Sequence, residues 1–143
     1  MITKYMANRM TSIFNFLCRR LASIGKLLGW DYCTASIYIC IHLWPLICVM
    51  MSLVILVMAL LSANLIWISV CSIYLALNIF GYWAVIRHYY PGTKREIFDR
   101  CYFDLMTIAE EWKTSYAVVN LIIYVLLFMA IMTFDALLIM LIK

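Results

Sequence analysis

Charged residues are scarce in this sequence. Asp, Glu, Lys and Arg make up 13% of the 143 residues, whereas hydrophobic residues make up 68%. From Tyr32 to Ile86 the chain contains no Asp, Glu, Lys or Arg. A water-soluble fold of this size cannot bury so much apolar surface, because a small domain has little core volume for its surface area. The scarcity of charge therefore argues against a soluble domain and predicts a membrane protein.

Motifs that indicate catalysis or metal binding are also missing. The sequence has no Gly-rich phosphate loop, HExxH motif or nucleophile elbow, and its six cysteines form no CxxC pair. Its two histidines, His42 and His88, match no zinc-type Cys/His spacing. We therefore expect a protein that is not an enzyme, holds no cofactor or metal, and has no disulfide framework.

Long apolar runs predict an all-α integral membrane protein with three transmembrane helices. A membrane helix needs about 20 apolar residues, so the uncharged run from Tyr32 to Ile86 supplies two spans that turn back at residues 62–64. The run from Tyr116 to Ile142, interrupted only by Asp135, supplies the third span. The first two spans are expected at about 37–61 and 65–86.

Pro45 leaves the start of the first span open. If the helix begins near Ile37, Pro45 removes a backbone hydrogen bond and should kink the helix. If the helix begins at Pro45, the proline occupies a favoured first-turn position and residues 32–44 form a separate short segment.

Basic residues predict the orientation. They concentrate in residues 1–31 and 87–114, whereas the turn between the first two spans has none and the C-terminus has only Lys143. The positive-inside rule then places the N-terminus inside and the C-terminus outside, and no cleaved signal peptide is expected. The expected parts are a basic interfacial helix (1–31), a transmembrane hairpin (32–90), a cytoplasmic helix (91–114) and the third span (115–143).

Two segments outside the spans have the periodicity of amphipathic helices. In the first, an apolar stripe lies opposite a basic face, which suits a helix in the headgroup plane or one packed on protein. Thr93 and Glu96 predict a capping box at the start of the second. Its charges are mixed, which favours packing on protein. The first stripe is Met6, Met10, Ile13, Leu17, Leu21, Ile24 and Leu28, and the second is Phe98, Leu105, Ile108 and Trp112, with Cys101 between.

Polar residues within the spans are the candidate functional residues. A carboxylate within a membrane helix costs about 2.5–3.5 kcal/mol on insertion scales, so Asp135 is expected to face a pore, a partner subunit or interfacial water. Helical spacing places Asp135 on one stripe with Asn120, Tyr124, Phe128 and Ile131. A similar stripe on the second span carries Tyr74 and Asn78, an amide able to bond between helices.

These features favour a small non-enzymatic membrane protein that forms oligomers. The leading interpretation is a pore, channel or membrane-permeabilising effector, gated by the cytoplasmic helices. The alternative is an accessory or scaffold subunit of a larger membrane complex. The bilayer and other copies or subunits are the expected partners. The basic residues leave a nucleic acid or nucleotide ligand as a further alternative, which no recognised motif supports. A bacterial inner membrane is the favoured location, with an organellar inner membrane as the alternative.

Overall fold

Among the residues that the structure describes, all regular secondary structure is helical. The computed structural model describes the backbone of residues 2–142 and the side chains of residues 8–142, so Lys143 and the side chains of Lys4 and Met6 lie outside the described part. Three helices are long and apolar enough to cross a membrane, as predicted. The helices are α1 (Ile2–Leu27), α2 (Tyr32–Leu61), α3 (Leu65–Tyr89), α4 (Lys94–Glu111) and α5 (Tyr116–Ile142).

The first span, α2, lies between the other two. Its second half packs against both α3 and α5, and the three helices share a buried apolar cluster there. Other large apolar side chains on the spans, such as Leu53, Leu77 and Leu141, remain exposed, as contact with lipid requires. The buried members of the cluster are Ile55, Ala59, Cys71, Leu138 and Ile142.

Pro45 neither starts the first span nor breaks it. The helix runs continuously from Tyr32 to Leu61, and its segment Ile37–Leu43 is a π-helix. Proline has no N–H, and its ring clashes with the carbonyl group four residues earlier. A widened turn just before Pro45 accommodates the ring, and the Trp44 N–H there donates to the carbonyl of Ile39.

Side-chain caps begin the helices where the chain turns. The Asp31 carboxylate accepts a bond from the Thr34 N–H at the start of α2, and hydrogen bonding from Thr34 lowers the pKa of Asp31. The predicted capping box of α4 is confirmed, because Thr93 N–H donates to Glu96 Oε2 at 2.9 Å and Glu96 N–H donates to Thr93 Oγ1 at 3.3 Å. The turn between α2 and α3 lies at residues 62–64, as expected, and Asn64 caps α3.

A close helix corner joins α1 to α2. Gly29 has a φ of +70°, and Trp30 N–H donates to the carbonyl of Gly25 at 2.8 Å, which ends α1. A Cβ atom at Gly25 would lie 3.1 Å from both Ala35 Cβ and the Trp30 carbonyl oxygen. The absence of a side chain at Gly25 therefore lets α1 approach the first turn of α2.

Helices α1 and α4 lie at the same end of the three spans. Helix α1 contacts the starts of α2 and α5, and α4 contacts both of these and the end of α3. Ile97 of α4 is buried against Ile37 and Ile41 of α2, with Phe98 partly buried beside them. Leu105 is buried with Val119 of α5. Of the other residues in the predicted stripe, Ile108 is partly buried and Trp112 is 55% exposed.

Candidate functional site

A buried carboxylate joins the second and third spans. The Tyr74 hydroxyl of α3 donates to Asp135 Oδ1 of α5 at 2.7 Å, and the Tyr74 ring packs edge-on against Phe134. Asp135 is fully buried, and its Oδ2 atom has no hydrogen-bond partner among the described residues. Asn78, one turn from Tyr74, donates to the Tyr74 backbone carbonyl at 3.1 Å. The carboxylate therefore bonds within its own chain.

The predicted stripe on α5 faces the other helices of the same chain. Tyr124, Phe128 and Ile131 line a space between the spans, and Phe128 packs on Trp44 of α2. Asn120, nearer the start of α5, donates to the Tyr116 hydroxyl at 3.3 Å. The segment Ile122–Leu126 is a π-helix, which changes the angular spacing assumed for a continuous α-helix. Tyr124 consequently meets α4, where its hydroxyl lies 3.1 Å from Cys101 Sγ.

The space between the three spans is a groove of about 380 Å³, here called the inter-span groove. Its α2 wall includes Trp44 and Cys48, and its α3 wall includes Asn78, Gly81 and Tyr82. A Cβ atom at Gly81 would meet nothing within 4 Å. The groove is therefore a largely apolar depression at membrane depth with a small residue and an amide on one wall.

A second space, of about 350 Å³, lies between α1, α2, α4 and α5 and is here called the end cavity. Several polar groups on its wall pair with each other: the Tyr32 hydroxyl donates to Cys18 Sγ at 3.3 Å, and Cys101 contacts Tyr124 as described. Burial raises the pKa of the Cys101 thiol. The cysteine remains protonated at neutral pH and presents no thiolate to a ligand.

The two spaces share a wall built from both π-helical segments. Cys40, Ile41, Trp44 and Tyr124 line the groove as well as the cavity. Cys40 and Ile41 belong to the π-helix of α2, and Tyr124 belongs to that of α5. Short π-helical segments occur frequently at functional sites in other proteins. This wall is the feature that sequence reasoning missed, because its members come from distant parts of the chain.

Histidine and tyrosine side chains tie the α2 and α3 ends together. His42 Nδ1 lies 3.2 Å from the Tyr82 hydroxyl, and His42 Nε2 lies 2.8 Å from the Tyr90 hydroxyl. Each ring nitrogen of His42 therefore bonds one tyrosine hydroxyl, with donor and acceptor roles set by the tautomer. His88 Nε2 lies 2.9 Å from Asp104 Oδ2 of α4. These contacts connect α2, α3 and α4 at one end of the spans, where tyrosines typically lie at the membrane surface.

The described residues provide no set of metal ligands. Within residues 8–142, no three His, Cys, Asp or Glu side chains come together in a way that could hold a metal ion.

Comparisons with family models, with curated proteins and with solved structures found no match.

Proposed function

We propose that the protein is a non-enzymatic accessory or scaffold subunit of a larger membrane complex, which a partner helix joins through the inter-span groove. The observation that carries this proposal is the groove itself, with Gly81 open on one wall and Asn78 beside it. Membrane helices associate by close packing at small residues and by interhelical bonds from amide side chains. The groove offers both features to a helix arriving from the bilayer.

The second span is the one least covered by its own chain. In its most apolar stretch, 6% of residues are buried, against 22% in α2 and 17% in α5. Ile73, Leu77 and Phe80 are each more than 60% exposed. This apolar surface is compatible with lipid, and it also provides the flank along which a partner helix seated at Gly81 would pack.

The position of Asp135 supports a subunit more than a pore. A carboxylate ring in a pore requires Asp135 of each copy to face the central path, whereas here Asp135 is fully buried and bonded to Tyr74. The subunit role leaves Asp135 as an internal link between α3 and α5. The outer faces of the spans would then bind other helices by close packing of apolar side chains rather than through Asp135.

Purification of the tagged protein from its native membrane in mild detergent tests this role. We expect a complex of defined mass that contains other membrane proteins in fixed ratio. Gly81→Leu should fill the groove wall and release those partners. Ala76→Leu is the matched control, because Ala76 is an exposed small residue on α3, about 140° around the helix from Gly81. Equal retention of partners by both variants would refute the groove as the contact.

A pore remains the second candidate, and one observation favours it. Asp135 Oδ2 is buried without a partner in the described chain, so a rearrangement that separates α3 from α5 would expose a carboxylate with unused bonding capacity. In this case the purified protein forms a homo-oligomer and conducts in planar bilayers, with α1 and α4 as the gate. Asp135→Asn should lower its cation preference, and Asp135→Lys should reverse it or close the path. An absence of conductance from well-folded protein would count against the pore.

The orientation in this proposal follows the charge distribution. Basic residues on α1 and around α4 favour a cytoplasmic position for both helices, with the turn at residues 62–64 outside. We place the protein in a bacterial inner membrane, with an organellar inner membrane as the alternative.

A further inference from the structure

We propose that the end cavity binds one acyl chain of an anionic phospholipid, whose phosphate is held by Arg20. This inference requires only that α2, α3 and α5 cross a membrane, and it is independent of the subunit role proposed above. It concerns a different space and a different ligand from the inter-span groove.

The depth of the cavity fits a chain that lies along the spans. Its walls extend on α2 from Tyr32 to Trp44 and on α5 from Tyr116 to Val125. The twelve residue steps along α2 correspond to at most about 18 Å, the α-helical rise, because the π-helical segment Ile37–Leu43 rises less per residue. Because the lining begins at the helix ends and continues beside two membrane spans, we expect a lipid tail to enter this space from the bilayer.

The chemistry of the wall suits a hydrocarbon. Apolar side chains from four helices line the cavity, and many of its polar groups are paired with each other, as Tyr32 is with Cys18 and Tyr124 with Cys101. A hydrophilic ligand would lose its water without gaining those groups as partners. Ser36 is an exception, since its Oγ atom is buried without a partner in the described chain. A lipid ester carbonyl supplies the acceptor that this hydroxyl lacks.

Charge at the rim selects an anionic lipid. Arg20 of α1 lines the cavity and is exposed. Its guanidinium lies 5.0 Å from the Phe16 ring centroid, and among the described residues it forms no ion pair. Guanidinium groups bind phosphate through two parallel hydrogen bonds, and basic pockets between membrane helices bind anionic lipid headgroups.

Native mass spectrometry of the full-length protein in detergent tests the proposal. The protein is titrated with phosphatidylglycerol or phosphatidylcholine that carry the same acyl chains, and bound lipid is counted at each concentration. We expect one tightly bound phosphatidylglycerol. Arg20→Gln should raise its apparent Kd about fivefold, the effect typical of one basic residue near a lipid headgroup. Arg19→Gln is the matched control, because Arg19 precedes Arg20 on α1 but does not line the cavity, and its Kd should change less than twofold.

A cavity-filling variant separates the acyl chain from the headgroup. Ser36→Phe places a ring in the cavity and should abolish tight binding of phosphatidylglycerol, with helicity by circular dichroism as the folding check. Equal weakening by Arg19→Gln and Arg20→Gln would overturn the proposal, because it would indicate unspecific attraction to a basic helix. Unchanged binding by folded Ser36→Phe would overturn it as well.

A measurement on the wild-type protein covers the case in which Ser36→Phe does not fold. Phosphatidylglycerol with a photoreactive diazirine in its acyl chain is crosslinked to the protein, and the labelled residues are mapped by peptide mass spectrometry. Labelling of Ile39 and Val125, which line the end cavity and not the inter-span groove, should disappear when excess unlabelled phosphatidylglycerol competes, whereas labelling of Leu46, which is 44% exposed, should persist. Equal persistence at all three residues would show contact with bulk lipid only and would overturn the proposal.

Discussion

Removal of one hydroxyl group at Tyr74 tests the link between the second and third spans. Tyr74→Phe keeps the ring against Phe134 and deletes the 2.7 Å hydrogen bond to Asp135. Both carboxyl oxygens of Asp135 then lack a partner among the described residues, because Oδ2 already has none. A buried polar group left unsatisfied costs about 1–3 kcal/mol, whereas interhelical bonds in a membrane protein average about 0.6 kcal/mol with a maximum near 1.7. We expect a loss of about 1–2 kcal/mol.

The assay is reversible unfolding in mixed micelles, followed by circular dichroism as the fraction of denaturing detergent rises. Tyr102→Phe is the control, because the Tyr102 hydroxyl is on α4, outside the spans, and the Tyr102 side chain is 45% exposed; this change should cost less than about 0.5 kcal/mol. Replacement of both partners by apolar residues, Tyr74→Phe with Asp135→Leu, should recover most of the loss, because neither group is then left unsatisfied. The reasoning is refuted if Tyr74→Phe and Tyr102→Phe are equally tolerated, or if the double variant is less stable than Tyr74→Phe alone.

Three further changes test the orientation in the membrane, the packing of α4 against α5 and the close contact between α1 and α2. On a cysteine-free background, cysteine at Asn64 should react with an impermeant maleimide from outside the cell, and cysteine at Thr107 should not; labelling at Thr107 would contradict the N-in orientation. Leu105→Asp buries an unpaired charge against α5 and should destabilise the fold by more than about 3 kcal/mol in the same unfolding assay, whereas Glu110→Gln, on the exposed side, should be neutral. Gly25→Val should cost about 1–3 kcal/mol, because its Cβ would crowd α2; a variant as stable as wild type would show that the corner is not tightly packed.

Local signals in the sequence predicted most helix ends to within about three residues, but the first span begins at Tyr32 rather than near Ile37 or at Pro45. The turn at residues 62–64 lies where small and polar residues interrupt an apolar run. The third span starts at Tyr116, where the charged residues of the preceding segment end. The capping box is equally local, since Thr93 and Glu96 are three residues apart. Each of these features depends on a few neighbouring residues, so one sequence is sufficient to predict them.

The partners of the polar residues were not predictable in the same way. Tyr74 and Asp135 were each identified as candidates, but a helical stripe does not reveal which face of another helix it meets. Pro45 was a signal for irregular backbone in α2, whereas the π-helix at Ile122–Leu126 contains neither proline nor glycine and had no such signal. Its change in angular spacing brings Tyr124 to Cys101, a contact that depends on the packing of α4 as well.

The shared wall of the two spaces predicts that lipid and partner binding are coupled. Cys40, Ile41, Trp44 and Tyr124 line both the end cavity and the inter-span groove. An acyl chain in the cavity would support these side chains from one side while a partner helix packs against them from the other. Bound phosphatidylglycerol should therefore tighten partner binding, and by thermodynamic linkage the partner should tighten lipid binding by the same factor. Typical coupling free energies of about 1–3 kcal/mol correspond to about 5- to 150-fold.

This coupling can be measured once a partner has been purified with the protein. The affinity of the partner for the protein is determined in nanodiscs of phosphatidylcholine alone and in nanodiscs that include phosphatidylglycerol. Both the wild type and Arg20→Gln are measured. The wild type should bind at least fivefold more tightly when phosphatidylglycerol is present, and Arg20→Gln should lose most of that gain while its affinity in phosphatidylcholine stays unchanged. Arg19→Gln should behave as the wild type, which separates the cavity from general surface charge. Identical partner affinity in both membranes would contradict the coupling, because a lipid that binds equally well with and without the partner cannot change the partner's affinity.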